Sequence, residues 1–504
     1  MARLTELPYR PDSTALFAPF SGRPWAMLLD SAQPGCATGR WDILVADPSA
    51  TLVTRGAMTE IRDAHGCRRS AEDPFALLRA ALGEREGPAP AGLPFAGGAV
   101  GWFGYDLARR IERLPVRATD AEGLPEMAIG VFDWALLVDH QERRSWLVGA
   151  DRDTRTPARW PRLVEQCSTA SSGLAAARPV AVAEERLAAP GPLPATTDPA
   201  RHGSAGRAAH PPPQAIESCH TGDPLRALAP LRSNLSEAAY TNAFGRVQAY
   251  IRAGDCYQVN LAQRFAAPAK GDPWAAYRRL RMLNPAPFSA YLKTPFGEVL
   301  SSSPERFLAL RHGQVETRPI KGTRPRGATP GEDAALRQAL TQSEKDRAEN
   351  LMIVDLLRND LGRVCRPGSI RVPALFDIET YASVHHLVST VRGELRNDED
   401  AASLLRACFP GGSITGAPKI RAMEIIEELE PHRRGVYCGA IGYLGFDGAM
   451  DTNIAIRTIV HNGGQVRFWA GGGLVVDSDP EQEYRETYDK ASRLMQLLAP
   501  ESSG

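Results

Sequence analysis

Alternating apolar and polar positions dominate the first third of the chain and predict β-strands. Short stretches such as residues 41–46 and 131–138 carry this pattern and are bounded by Gly and Pro, as is typical of strands in a sheet. Beyond Ser236 the period changes to three or four residues. This helical period is carried by Tyr240, Phe244, Val247 and Ile251. We therefore predict a helix that begins at Ser236.

The rest of the chain continues with both kinds of element. The pattern predicts one long helix over about 333–361, a strand over 439–444 and a last helix over 480–498. No repeat of fixed period and no heptad pattern occurs. The sequence therefore argues against a solenoid and against a coiled coil.

A change in composition divides the chain into three segments. Residues 1–167 and 229–498 carry the periodic patterns and are predicted to be folded. Residues 168–228 are rich in Ala, Pro, Ser, Gly and Thr and have no apolar period. We interpret this middle segment as a linker or an insertion.

Composition excludes several classes of protein. The 504 residues, 43% of them hydrophobic, can form a large core. Basic and acidic residues are equal in number, so no overall charge attracts nucleic acid or an anionic membrane. No apolar run approaches the roughly 20 residues of a membrane helix, and the eight cysteines form no C-x-x-C pair. We expect a cytoplasmic protein without a disulfide framework.

Lysine is rare in this chain. Only six of the 59 basic residues are lysine, and the remainder are arginine. The lysines are residues 270, 293, 321, 345, 419 and 490. Positions where lysine is kept are therefore of particular interest.

Two predicted helices carry acidic pairs at a spacing of three residues. Asp346 and Glu349 form one pair, and Glu483 and Glu486 form the other, so each pair would lie on one face of its helix. Two such faces could together hold a hard cation such as Mg²⁺, which prefers oxygen ligands. Each pair taken alone is more typical of a solvated helix face than of a metal site.

Two glycine-rich segments could contact an anionic ligand. Residues 411–419 lead into a helix whose free N–H groups could hold a carboxylate or phosphate, but Ala417 stands where a P-loop requires lysine. Residues 470–473 could let a ligand approach the backbone, although a tight turn or bulge is the default explanation for such a segment.

Glu305 and Lys321 are the candidates for acid and nucleophile. They lie sixteen residues apart in the segments 303–307 and 318–327, and a carboxylic acid beside an amine could donate a proton and attack an electrophile. The alternative is that both lie on the surface.

Five segments together resemble the chorismate-utilising enzymes, a family that includes the anthranilate, aminodeoxychorismate, isochorismate and salicylate synthases. These segments are 303–307, 318–327, 348–360, 409–419 and 483–490. The resemblance is dense over 233–498 and looser over the first 160 residues. It implies an α/β (α+β) fold in which two large antiparallel sheets pack as a sandwich with helices outside, both regions sharing one core.

The resemblance also implies roles for individual residues. Glu349 and Glu486 match magnesium ligands of the family, and Asp346 and Glu483 match acids that reach the waters of the metal. Positions around the chorismate ring and its carboxylates are matched by His386, Ser413, Tyr437, Arg457, Gly471, Gly473 and Lys490.

Two positions separate the members of the family by reaction. Enzymes that add water to chorismate have a lysine base where this chain has Gln258. Anthranilate synthases read Pro-Ile-Ala-Gly-Thr where this chain has Lys321 in Pro-Ile-Lys-Gly-Thr, the form of the enzymes that aminate ring carbon 4. The resemblance thus implies synthesis of 4-amino-4-deoxychorismate for p-aminobenzoate and folate. Lys321 would attack carbon 2, and Glu305 would protonate the leaving hydroxyl group.

Two alternatives remain open: an anthranilate synthase component I, or a non-catalytic subunit that binds tryptophan or chorismate. Ammonia would come from a separate glutamine amidotransferase, since no cysteine lies in a Gly-x-Cys-x-Gly motif. A tryptophan site is also implied by similarity to the family's Leu-Leu-Glu-Ser element and its mate. Its residues would be Leu29, Ser31, Asn284, Pro285 and Phe288.

Overall fold

The computed structural model describes residues 3–32, 39–87, 89–169, 222–381 and 384–499. The segment 168–228 lies mostly outside these ranges, so its interpretation as a linker stays a prediction. Within them no helix is both long and apolar enough to cross a membrane.

Ten α-helices and twenty-five strands are found in the described ranges. The helices are α1 (Ser13–Phe17), α2 (Pro74–Leu82), α3 (Thr156–Thr169), α4 (Glu237–Arg252), α5 (Pro273–Leu283), α6 (Pro330–Gln342), α7 (Glu344–Gly362), α8 (Ala401–Cys408), α9 (Lys419–Leu429) and α10 (Pro480–Leu498). The strands are β1 (Arg3–Leu7), β2 (Met27–Asp30), β3 (Trp41–Val45), β4 (Ala50–Arg55), β5 (Met58–Asp63), β6 (Gly66–Ser70), β7 (Gly98–Phe103), β8 (Met127–Phe132), β9 (Trp134–Asp139), β10 (Arg144–Gly149), β11 (Arg226–Ala227), β12 (Arg232–Ser233), β13 (Gln258–Lys270), β14 (Phe288–Thr294), β15 (Gly297–Ser303), β16 (Arg306–Arg311), β17 (Gln314–Thr317), β18 (Ile320–Pro325), β19 (Arg371–Thr380), β20 (Val384–Glu394), β21 (Gly416–Ala417), β22 (Ala440–Gly445), β23 (Met450–Ile454), β24 (Thr458–Asn462) and β25 (Gln465–Leu474).

The strands form two large antiparallel sheets, each built from both halves of the chain. The first runs β1-β10-β9-β3-β2-β14-β15-β24-β25-β13-β11, with β12 and β21 also paired to β13. The second runs β18-β20-β17-β16-β23-β22-β7-β8-β4-β5-β6, with β19 also paired to β20. Because β2 pairs with β14 and β7 pairs with β22, the N-terminal and C-terminal regions share one core, as predicted.

The sheets pack face to face and the helices cover their outer faces. Met27 and Ile43 of the first sheet lie in one apolar cluster with Trp102 and Phe132 of the second. Helices α5 and α10 pack on the outside of the first sheet, and α2, α7 and α8 pack on the outside of the second. Burial of each large apolar side chain contributes about 1.5–3 kcal/mol. The predicted sandwich with helices outside is confirmed.

The helix predictions hold except at one place. Ser236 caps α4 by accepting a hydrogen bond from the Ala239 N–H, and α10 has the predicted bounds. The single helix predicted over 333–361 is wrong, because Ser343 interrupts it. Its backbone is extended, and its side chain accepts from the Asp346 N–H to start α7. Asp346 therefore lies in the first turn of a new helix.

Candidate active site

The predicted site residues lie where the two sheets meet at one end of the sandwich. Lys321 lies on β18 and His386 on the neighbouring β20, both in the second sheet. Gly471 and Gly473 lie on β25 of the first sheet, paired with β13. Helix α7 packs on β18 and β20, and α10 packs on β25. The sheets thus supply the walls of the site, and the two helices supply its acidic residues.

A bulge in β18 sets the direction of Lys321. The pairing with β20 shifts register between Lys321 and Thr323, and Gly322 between them has φ +71°. A Cβ at Gly322 would lie 2.8 Å from the carboxyl carbon of Asp346. Glycine is therefore required for this strand to pass so close to α7, and the bulge re-aims the side chain beside it.

Lys321 and Glu305 meet at the same residue. The Nζ of Lys321 donates to the carbonyl oxygen of Ser413 at 3.2 Å, and the hydroxyl of Ser413 donates to Glu305 Oε1 at 2.7 Å. Glu305 is 5% exposed, and Ser413 lies in a short turn, Gly412–Ile414. The structure thus brings together the amine and the carboxyl group that the sequence predicts to act as nucleophile and acid.

The surroundings shift both groups in the direction that their proposed roles require. Burial lowers the pKa of Lys321, against the opposing charges of Glu349 and Glu305. Burial also raises the pKa of Glu305, although the hydrogen bond from Ser413 and the charge of Lys321 act against the rise. A larger fraction of the amine is therefore neutral, and a larger fraction of the acid is protonated, than in water.

The four predicted acids lie along the two helices on one side of this centre. Glu483 Oε1 is 3.5 Å from the Nζ of Lys345, a contact that joins α10 to α7. Lys490 Nζ is 2.6 Å from Glu486 Oε1, and Arg324 donates to Asp346 at 3.0 Å. Each of these three acids therefore has a basic partner.

Gly472 of β25 faces the acids of α10. A Cβ placed on Gly472 would lie 3.0 Å from Glu483 Oε2 and 3.6 Å from Glu486 Oε1. Both carboxylates therefore point at the same glycine. The interpretation of residues 470–473 as a tight turn or bulge is wrong, since they continue β25 in register with β13.

These acids do not form a tight chelating cage. Within the described ranges no three His, Cys, Asp or Glu side chains converge closely enough to enclose a metal ion. Burial nevertheless raises the pKa of Glu349, and the nearby carboxylates of Glu483 and Asp346 add to the rise. Carboxylates that lie near one another without enclosing a site are suited to a cation that keeps several waters and takes further oxygens from a substrate.

His386 and Arg457 supply further polar groups beside β18. His386 is 3% exposed, its Nδ1 lies 2.9 Å from the Thr323 hydroxyl, and burial and the nearby Arg457 lower its pKa to about 3. Arg457 has no carboxylate partner within 4.0 Å among the residues that the structure describes, and burial lowers its pKa. An unpaired, largely desolvated guanidinium is a strong binding group for a carboxylate.

Tyr437 and Gly473 complete the wall beside β13. The ring of Tyr437 stacks on Trp469 at a centroid distance of 5.9 Å. A Cβ at Gly473 would lie 2.4 Å from the side-chain nitrogen of Gln258, so Gln258 packs directly on this strand. Gly471 accepts a hydrogen bond from Lys490 at 2.9 Å through its carbonyl oxygen.

A separate cavity of about 400 Å³ lies away from Lys321 and Glu305, among N-terminal strands and β14. Leu29 and Phe288 line it, as the predicted tryptophan site requires. Asn284 and Ser31 are not part of the lining: Asn284 donates to Ser302 at 2.5 Å, and Ser31 donates to Asp42. Pro285 also lies outside the lining.

Lys345 belongs to the site but was not predicted to do so. The scarcity of lysine could have indicated Lys345, which is one residue from the acidic position 346. Gly472 lies in the glycine-rich segment 470–473 that the sequence indicated, but only the pairing of β25 with β13 shows that it faces α10.

Comparison with known proteins places these observations in a family. The family described as chorismate binding enzyme matches residues 28–496. The chain is 48% identical to aminodeoxychorismate synthase component 1 of Klebsiella aerogenes, covering 98% of both chains. It is 41% identical to anthranilate synthase component 1 of Streptomyces coelicolor, covering 84% of this chain and 77% of that one.

A solved structure agrees with the fold. Anthranilate synthase component I from Streptococcus pneumoniae superimposes with a TM-score of 0.72 and 29% sequence identity, covering 91% of this chain and 92% of that one.

Proposed function

The chain belongs to the family of chorismate-binding enzymes, and we infer that it aminates chorismate at ring carbon 4, forming 4-amino-4-deoxychorismate as component 1 of an aminodeoxychorismate synthase. The observation that carries this inference is the pair formed by Lys321 and Glu305, which contact the same residue, Ser413. This pair supplies an amine and an acid at one centre, as a double displacement requires.

The first displacement uses both groups. The neutral amine of Lys321 forms a bond to ring carbon 2, the ring double bonds shift, and the bond between carbon 4 and its hydroxyl oxygen breaks. Glu305 gives its proton to the departing oxygen, which leaves as water. The lowered pKa of Lys321 and the raised pKa of Glu305 both favour this step.

The second displacement releases the enzyme. Ammonia forms a bond to carbon 4, the double bonds shift back, and the bond from carbon 2 to Lys321 breaks. A proton from the incoming ammonia passes to the protein, so that the sum of both steps exchanges a hydroxyl group for an amino group and yields one water. Two displacements give overall retention at carbon 4.

We also infer a magnesium site between α7 and α10. Glu349 and Glu486 would hold the ion, and Asp346 and Glu483 would bind its waters. The carboxylates of Glu483 and Glu486 lie beside the same residue, Gly472, and burial, with the nearby charges of Glu483 and Asp346, raises the pKa of Glu349. The chemistry that a bound Mg²⁺ would supply is Lewis-acid polarisation, which would hold the ring carboxylate and withdraw electron density from the ring. Arg457 would bind a second carboxylate of chorismate, and Lys490, Tyr437 and the glycines of β25 would surround the substrate.

A glutamine amidotransferase subunit is the inferred source of ammonia. The relatives' name, component 1, implies a second component, and free ammonium should replace that component at high concentration. We retain tryptophan as the inferred occupant of the cavity beside Leu29 and Phe288, and a cytoplasmic location stays a prediction.

Product identification tests the assignment. Purified protein would be incubated with chorismate, Mg²⁺ and ammonium, and the products separated and identified by mass. We expect 4-amino-4-deoxychorismate. Fluorescent anthranilate would instead assign the chain to the alternative represented by the Streptomyces coelicolor relative, and absence of any turnover with the amidotransferase present would favour the non-catalytic alternative.

A further inference from the structure

A fully buried arginine contacts three segments that border the candidate active site. Arg434 is 1% exposed, precedes β22, and belongs to none of the groups assigned above to substrate, metal or proton transfer. Its Nε and Nη2 donate to the two carboxylate oxygens of Glu430 at 2.9 and 2.7 Å. Glu430 is itself held by the Ala262 N–H at 2.9 Å. The guanidinium is therefore fixed in orientation.

The other donors of Arg434 reach two different walls of the site. Nη1 donates to the carbonyl oxygen of Ile414 at 2.9 Å, and Nη2 donates to the carbonyl oxygen of Asn260 at 2.7 Å. Ile414 follows Ser413 in the turn that holds Lys321 and Glu305, and Asn260 lies on β13 opposite Gly473. One side chain thus joins the turn to the strand.

Arg434 also contacts the third wall. Its guanidinium carbon lies 5.8 Å from the ring centroid of Tyr437 and 4.8 Å from that of Tyr105. Its carbonyl oxygen accepts a hydrogen bond from the Tyr437 N–H at 3.0 Å. Tyr437 is held from the other side by its stacking on Trp469.

We propose that Arg434 is a positioning residue that fixes Ser413, and with it Lys321 and Glu305, relative to β13 and Tyr437. The inference rests on the proposed function, because it gives Lys321 and Glu305 their chemical roles. A buried ion pair is weak evidence for stability, since desolvation offsets most of the attraction. Hydrogen bonds from one planar group to two separate carbonyl oxygens give an orientation that lysine cannot reproduce.

The test compares two conservative substitutions of paired arginines. Arg434→Lys keeps the charge beside Glu430 but cannot keep both bonds to Ile414 and Asn260. Arg281→Lys is the matched control, because Arg281 also pairs with a buried carboxylate, that of Asp30, at 2.6 Å, and contacts none of the residues assigned to chorismate, magnesium or proton transfer. Measurements are kcat, the KM for chorismate, and the midpoint of thermal unfolding.

We expect Arg434→Lys to lower kcat at least about tenfold, because small misplacements of reacting groups have large effects on rate. The KM should change less than about threefold, since Arg457, which would bind a carboxylate of chorismate, does not contact Arg434, and the hydrogen bond from the Tyr437 N–H is to the main-chain carbonyl oxygen of residue 434, which the substitution keeps. Arg281→Lys should leave kcat and KM within about twofold of the wild type, because Arg281 does not contact the catalytic residues. An unchanged kcat in folded Arg434→Lys protein would overturn the proposal.

A second variant keeps the test valid if Arg434→Lys does not fold. The double variant Glu430→Gln/Arg434→Met removes both buried charges together, which avoids leaving one unpaired. A folded double variant should show the same fall in kcat, and wild-type kcat in this variant would refute the positioning role. The kcat of each variant is measured for the product that the wild type forms. If the wild type does not form 4-amino-4-deoxychorismate, the proposed function fails, and this result is independent of the effect of the Arg434 variants on kcat.

Discussion

The hydroxyl of Ser413 donates a 2.7 Å hydrogen bond to the carboxylate of Glu305, and the carbonyl oxygen of the same serine accepts from Lys321. Glu305 is thereby oriented toward the centre that Lys321 occupies. Glu305→Gln keeps the size of the side chain and an acceptor for Ser413 but removes the acidic proton.

We expect Glu305→Gln to lower kcat about 10²–10⁴-fold, the usual range for loss of a general acid. The KM for chorismate should change little, because Glu305 is not among the groups that would bind its carboxylates. Glu316→Gln is a suitable control, since Glu316 lies on β17 and pairs with Arg306 and Arg392. A Glu305→Gln enzyme with near wild-type kcat would remove Glu305 from the mechanism.

Lys321 is predicted to carry a covalent adduct during turnover. With chorismate and Mg²⁺ but without ammonia, the wild-type chain should gain the mass of chorismate less one water. Lys321→Ala should not, and its kcat should fall at least about 10³-fold, since the first displacement loses its nucleophile.

Lys293→Ala is the matched control for the adduct, because Lys293 lies on β14 and its nearest carboxylate is Glu298 at 3.9 Å. Its adduct should equal that of the wild type. If the wild type forms no adduct under single-turnover conditions, ammonia must displace the hydroxyl group directly, and Lys321 would then act only as a cation.

Much of the site could be predicted from the sequence because its residues lie in contiguous motifs. The segments around Glu305, Lys321 and Glu349 each carry their chemistry within a few neighbouring residues. The family resemblance linked them, and the fold then brought them together at one end of the sandwich.

The features that escaped prediction depend either on long-range contacts or on the choice of a single capping residue. Arg434 reaches Ile414 and Asn260 across 20 and 174 residues of sequence, and no local pattern records such a contact. The break at Ser343 was missed because both helices that it separates have compatible helical composition, and a single capping side chain decides where α7 starts. The contacts of Arg434 are a consequence of packing between elements, whereas the start of α7 is decided by one local hydrogen bond, from the Asp346 N–H to the Ser343 hydroxyl.

Lys345 should oppose magnesium binding. Its ammonium lies 3.5 Å from Glu483 Oε1 and bridges α7 to α10. Its positive charge would therefore repel a divalent cation and occupy one of the acids inferred to bind the cation's waters. Lys345→Met should bind Mg²⁺ more tightly by about three- to tenfold, the effect of roughly 1 kcal/mol for a partly exposed charge.

Titration calorimetry with Mg²⁺ measures this effect without any turnover. Arg358→Met is the control, because Arg358 lies on the same helix and pairs with the exposed Asp355. Glu349→Gln should weaken Mg²⁺ binding in the same assay. Weaker binding in Lys345→Met would mean that Lys345 holds the two helices in the binding geometry and does not compete with the ion.

The buried, neutral state of His386 should make the stability of the fold depend on pH. Burial lowers its pKa to about 3, whereas an unfolded histidine has a pKa of about 6.5. Between these values the unfolded chain binds the additional proton, so stability falls as pH falls. At pH 5 the loss of folding free energy is about 2 kcal/mol relative to neutral pH.

His386→Asn removes this contribution, so the variant should lose less stability than the wild type between pH 7 and pH 5 when unfolded with urea. His65→Asn, at an exposed position, should follow the wild type. Equal losses in wild type and His386→Asn would show that His386 becomes protonated in the folded state.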